Sequence, residues 1–218
     1  IRTFCTNPGG FVAKENYYGY ICVNGHALKD IKSNNTNFAF ISKVNLTQPV
    51  TNTRLYGESI ARIANVLGDG KPIIQSLKDL KNRRSEWHRL NKGFIEPTLK
   101  DCVAGDLALV MPHRIITNIL EGLETLDKII PGINNDDTLL YGPEIKFFSN
   151  EIETDNNFKL KKDNYEDEEF DEDEKPVVEE LYDSSKNENA ITIYKQDNTF
   201  QLTTGQIVIK NFFKWNFG

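Results

Sequence analysis

The residues best placed to do chemistry in this chain fall into four short groups. His26 follows Asn24-Gly25, and a histidine side chain can serve as a catalytic acid or base near neutral pH; the plainer reading is a hydrogen-bonded turn histidine. Cys5-Thr6-Asn7-Pro8-Gly9-Gly10 holds two adjacent glycines, which either bring backbone amides close to a substrate or simply build a tight turn. Arg83 and Arg84 can clamp a substrate carboxylate or phosphate with paired hydrogen bonds, or act as a charge pair at a helix end. Glu144 and Lys146 alternate with Ile145 and Phe147 on a strand, which turns both toward a substrate cleft or toward solvent as an ion pair.

No metal site emerges. Cys22 and His26 are four apart, but a third and fourth ligand at zinc spacing are lacking. The cysteines, Cys5, Cys22 and Cys102, form no CxxC pair and leave one thiol over in any disulfide scheme, which suits a reducing cytosol. Asn34 and Asn45 match the N-x-[ST] sequon, a match that an asparagine-rich chain produces by chance. There is no signal peptide and no apolar run near 18 residues, so the expected location is cytoplasmic. The chain opens at Ile1 rather than Met, which reads as a processed or trimmed piece.

The elements that must position these groups follow from periodicity. Residues 1–50 carry β-type runs at Phe11–Ala13, Tyr17–Val23 and Phe38–Val44, punctuated by turn signals at Asn7–Gly10, Asn24-Gly25 and Ser33–Asn35. Ser59–Leu67 places Ile60, Ile63, Ala64 and Leu67 at helical spacing, with Gly68 as its stop. Pro72–Arg84 reads as a second helix with a basic end. Pro112–Ile130 carries a long apolar stripe, begun by Pro and ended by Pro131-Gly132, and predicts the longest helix. Leu139–Ser149 returns to strand character.

Charge divides the chain. Residues 1–150 carry 18 Lys and Arg against 15 Asp and Glu, and residues 151–218 carry 8 against 17, so the net charge passes from about +3 to about −9. Residues 163–180 hold eleven carboxylates and one lysine, too much self-repulsion for a packed core. Beyond them, Ala190–Tyr194, Thr199–Thr203 and Gln206–Ile209 alternate as a small β-meander would, and Phe212, Phe213, Trp215 and Phe217 form an aromatic tail that should dock on something. The meander and tail read as an attachment element outside the main core. The net charge of −6 and the shortness of the one basic cluster, Lys81–Arg89, exclude a nucleic-acid face. The class predicted is α+β: mixed β-strands with amphipathic helices, followed by an acidic linker and a small β-rich C-terminal segment.

A dozen short motifs add a resemblance. Arg2–Cys5 leading to Pro8-Gly9-Gly10, Val23–His26, Asn35–Ala39, Tyr56-Gly57, Gln75, Arg83–Ser85, Pro97–Leu99, Gly105–Leu107, Pro131-Gly132 and Thr138–Gly142 through Glu144–Phe147 occur in the order seen in a family of uncharacterised FAD-dependent dehydrogenases. The chain resembles the NAD(FAD)-utilising dehydrogenase type over roughly residues 1–150. The resemblance implies a substrate or cap region set into a Rossmann-type FAD domain, with Cys5, Pro8, Gly9, Gly10, Asn24 and Gly25 near the flavin ring. The G-x-G-x-x-G turn and the late glycine turn that hold FAD in such proteins do not occur in this sequence. The second cysteine usual near Thr6 or Asn7 is also missing, which removes a dithiol role.

The expected organisation is a flavoprotein-like cap domain at 1–155, an acidic linker at 156–185 and a β-meander with a docking tail at 186–218. The expected function is the substrate-domain portion of a flavin-dependent oxidoreductase, active only with an FAD-binding domain or subunit. The alternative is a non-catalytic structural or interaction module that binds a partner protein through its C-terminal segment. Neither reading requires nucleic acid or membrane.

Overall fold

The computed structural model describes residues 1–17, 19–46, 49–50, 53–146, 150–152, 194–196 and 199–210. The expected linker at 156–185 and the aromatic tail lie outside these residues. The chain divides into two compact units, the described residues of Ile1–Phe148 with Asn198–Gly218, and those of Ser149–Asp197. In the second, β9 (Asn150–Ile152) pairs antiparallel with β10 (Tyr194–Gln196).

The first unit is α+β. Its seven-stranded sheet runs in the order β1 (Arg2–Pro8), β4 (Asn35–Asn45), β11 (Thr199–Lys210), β7 (Leu139–Gly142), β5 (Ile73–Ser76) and β6 (Val103–Ala104), with β8 (Glu144–Lys146) also on β11. The hairpin of β2 (Phe11–Tyr17) and β3 (Tyr20–His26) forms a separate two-stranded sheet. Strand alternation then gives two cores. Phe38, Phe40, Ile73, Leu140 and Ile207 pack with α1 (Thr53–Leu67) and α4 (His113–Asp127). Ile74, Leu139, Tyr141 and Val208 pack with Val12 and Val23 of the hairpin and with Leu90, Ile95 and Cys102. Burial pushes the Cys102 thiol up to about 12, so it acts as a small apolar filler.

Several sequence expectations change. The strands read at Thr199–Thr203 and Gln206–Ile209 are one strand, β11, with an irregularity between Thr203 and Gln206. It is no attachment element: it pairs with β4 over its length and with β7 and β8 on its other side. Pro72–Arg84 is not one helix. Ile73–Ser76 form β5, because β-branched Ile73 and Ile74 find strand partners in β7 and β6, and only Leu77–Asn82 is helical, as α2. Asn24-Gly25 lies inside β3, opposite Ala13 and Val12, whereas the hairpin turns at Gly19, φ +86°.

The α1 helix begins earlier than expected, and Ile60, Ala61 and Ala64 form its buried face while Ile63 and Leu67 stay exposed. The left-handed residues after it are Asp69 and Gly70 rather than Gly68; a Cβ on Gly68 would lie 2.0 Å from the Lys71 carbonyl oxygen. Asn65 of α1 bridges to the hairpin, accepting from Ile21 N at 2.7 Å and donating to Ile21 O at 2.8 Å. The α4 stripe buries Ile115, Ile116, Ile119 and Leu123 as read, but Ile129 lies beyond the helix and exposed.

Because β4 and β7 meet only through β11, a chain ending at residue 198 should lose cooperative thermal unfolding altogether. Ile207→Ala in the full chain should cost about 2–5 kcal/mol in urea denaturation; unchanged melting of either variant would place β11 outside the core.

Candidate functional site

At one end of the sheet the Cys5–Gly10 and Asn24–His26 segments come together. Gly10 N donates to Asn7 O at 3.0 Å, closing a turn in which Gly9 takes φ +66°. Ser33 pins this turn: its N donates to Gly9 O at 2.9 Å and its Oγ to Gly10 O at 2.6 Å. Just before the turn, the β1–β4 register shifts between Phe4 and Asn7, and Cys5 sits in the left-handed region at φ +51° with its side chain exposed. Such strain and bulging in a non-glycine residue recur at functional sites. Asn7 Nδ2 steadies the bulge by donating to Cys5 O at 2.7 Å.

Behind these segments lies a layer of three buried amides and one buried carboxylate. Asn35, Asn37, Gln206 and Glu144 are all 0–1% exposed, and Gln206 Nε2 donates to Glu144 Oε2 at 2.7 Å. A Cβ on Gly10 would fall 2.5 Å from Asn7 Cβ and 2.9 Å from Asn37 Oδ1; one on Gly25 would fall 2.5 Å from Asn7 Nδ2 and 2.6 Å from Gln206 Oε1. The inner amides thus explain both glycines. Asn35 Oδ1, both polar atoms of Asn37 and Gln206 Oε1 make no hydrogen bond with any described residue. Each such buried atom costs about 1–3 kcal/mol unless water or a ligand meets it.

The structure thus joins Gly10 and Gly25 through Asn7, with Cys5, Pro8 and Gly9 in the same turn segment, whereas Asn24 donates its Nδ2 to Glu15 Oε1 and His26 ends β3 opposite Phe11. Glu144 joins them from behind: of the two expected placements, solvent or a cleft, its burial removes the first. The strand is the reason, since β8 lies against β11 and turns Glu144 to Gln206. The side chain of Lys146 lies outside the described residues. Gln206 was not foreseen, because nothing in an alternating strand marks one glutamine as inward-facing.

Arg83 and Arg84 belong to a different cluster. Asp79, 2% exposed, accepts from Ser85 Oγ at 2.7 Å, Arg83 Nε at 3.1 Å and Arg89 Nε at 3.4 Å. Burial works to raise its carboxyl, but these donors prevail and hold it below the usual range. Buried Gln75 ties the neighbouring loops, donating to Arg83 O and accepting from Leu107 N at 2.8 Å. Arg84 reaches outward to Glu86 at 3.4 Å.

The chain belongs to the family described as FAD-dependent protein, C-terminal domain-like, whose model matches residues 1–146. This makes it a flavoprotein-related domain. No curated protein matches it. The junction of β5 and α2 differs from the pyrophosphate turn of a Rossmann-type FAD domain. A Rossmann-type site uses a glycine turn from a parallel strand into a helix, whereas the β5-to-α2 junction is capped by Ser76 Oγ on Asp79 N and carries the Asp79 carboxylate in its first turn. No His, Cys, Asp and Glu cluster able to hold a metal occurs among the described residues.

Gly10→Ala should destabilise the fold by about 1–3 kcal/mol in chemical denaturation, because Asn7 backbone and Asn37 must both shift. For Asp79 the folded-state pKa is depressed, so its contribution is full above the unfolded value of about 4 and is lost as pH falls through the folded value. Asp79→Asn should flatten that acid limb in pH-dependent melting; an unaltered limb would show that Asp79 does not govern it.

Proposed function

We propose that residues 1–146, completed by β11, act as the substrate-side cap of a flavin-dependent oxidoreductase of dehydrogenase type. One observation carries the reading: in a chain of an FAD-dependent family, the Cys5–Gly10 and Asn24–His26 segments converge over buried amides left short of partners. FAD would be held by an FAD-binding domain or subunit, with Cys5, Pro8, Gly9, Gly10, Asn24 and Gly25 presenting backbone toward the flavin side. His26 serves as the proton donor or acceptor for substrate, and the buried amides fix the geometry of the wall it stands on. The three free cysteines support a reducing, cytoplasmic setting.

A second reading, a non-catalytic interaction module with a partner protein, draws on His26 itself. Its backbone pairs with Phe11, but its side chain is exposed and makes no hydrogen bond to a described residue, whereas a working acid–base histidine is normally oriented by a second group.

Titrating FAD into the purified chain, followed by flavin fluorescence, should give no saturable binding. Titrating FMN should instead shift the backbone amide resonances of Gly9, Gly10, Gly25 and His26, weakly and together. Stoichiometric FAD retained by this chain alone would overturn the division of labour, and FMN shifts confined to other residues would overturn the site.

A further inference from the structure

Away from that wall, a surface cleft of about 210 Å³ opens beside α2 and α3 (Trp87–Leu90), with Leu90 and Leu139 at its apolar floor. Four cations line it, Lys78, Arg83, Arg89 and Lys92, against two carboxylates, Asp79 and Asp137. Asp79 is buried, whereas Asp137 is partly exposed at the rim. Asp79 takes its three side-chain donors from Ser85, Arg83 and Arg89, and Asp137 Oδ2 takes Phe94 N at 3.2 Å. Lys78 reaches Asp136 only at 3.8 Å, and Lys92 makes no ion pair among the described residues.

The guanidinium arrangement has a specific consequence. Asp79 engages Arg83 and Arg89 through Nε, and Arg89 spends its Nη atoms on Arg84 O and Glu86. The terminal Nη groups of Arg83 have no such use among the described residues, although its orientation is already fixed by the buried carboxylate. A preoriented guanidinium loses little freedom on binding an oxyanion, and its planar fork matches phosphate geometry. Lys92 and Lys78 add mobile positive charge at the mouth. The cleft is smaller than the roughly 300–1,000 Å³ of sites for whole drug-sized ligands, so it fits a head group.

We propose that this cleft is an anion site for a phosphate group, either free or as the ester end of a small molecule, with Arg83 as the fixed donor and Lys92 as the mobile one. The site is separate from the Gly10–Gly25 wall and does not depend on the flavin reading. Inorganic phosphate titrated into the full chain at constant ionic strength, observed by phosphorus NMR, should broaden saturably. Arg83→Gln and Lys92→Gln should each weaken binding about tenfold, the loss of one charge-assisted contact, while Lys100→Gln on an unrelated surface should leave it unchanged. A parallel titration with glycerol 3-phosphate distinguishes the sources: tighter binding than phosphate identifies an ester site, equal binding a site for the free ion. Absence of saturable binding in the native chain, or equal weakening by all three variants, would overturn the proposal. Lys92 is an exposed side chain, so its variant keeps the test intact should Arg83→Gln fail to fold.

Discussion

The rest of the molecule depends on the pairing of one strand with neighbours on both its edges. β11 gives β4 and β7 the hydrogen-bonding partner that neither offers the other, and unpaired strand edges in a core are costly. It also joins the two layers, since Ile207 packs with the helices and Val208 packs under the hairpin. Between them and the bulge, Gln206 reaches the site. One strand thus fixes sheet, layers and inner amide wall together, although it lies outside the segment that the family model matches.

The wall and the cleft use different physics. Around Gly10 and Gly25, position is enforced by close packing of uncharged amides on glycine backbone, with hydrogen-bonding capacity left over. Around Asp79, position is enforced by charge: one buried carboxylate on α2 gathers Arg83 and Ser85 from the loop after it and Arg89 from α3. The motif residues near Gln75, Arg83 and Gly105 thereby acquire a structural explanation, because Ser85 N also binds Gly105 O at 2.9 Å and Ser85 Oγ accepts from Ser76 N at 3.1 Å.

How far the sequence could be read depended on which interactions set each element. α4 was legible because a long stripe at helical period has no strand equivalent. Ile73 and Ile74 fit either period, and only pairing with β7, far along the chain, decides for a strand. Asn24-Gly25 is a strong local turn signal, yet Gly25 is needed to admit Asn7 and Gln206, contacts that local sequence does not encode. Glu144 misled for the same reason: alternation says which face it takes, and β11 decides that this face is buried.

The place of β11 also sets an order of events during synthesis. Phe38 of β4 meets Ile207, and Leu140 meets Ile207 from the other side, so the central ladder joins residues from near both ends of this sequence. Such long-range pairing is slow to form, and until it does both flanking strands expose bare edges that invite pairing with other chains. On the ribosome, the helices and the β2–β3 hairpin can assemble locally from what has emerged, but β4 and β7 must wait for β11. The segment at 163–180, with eleven carboxylates against one lysine, precedes β11 in the chain and so emerges during that wait.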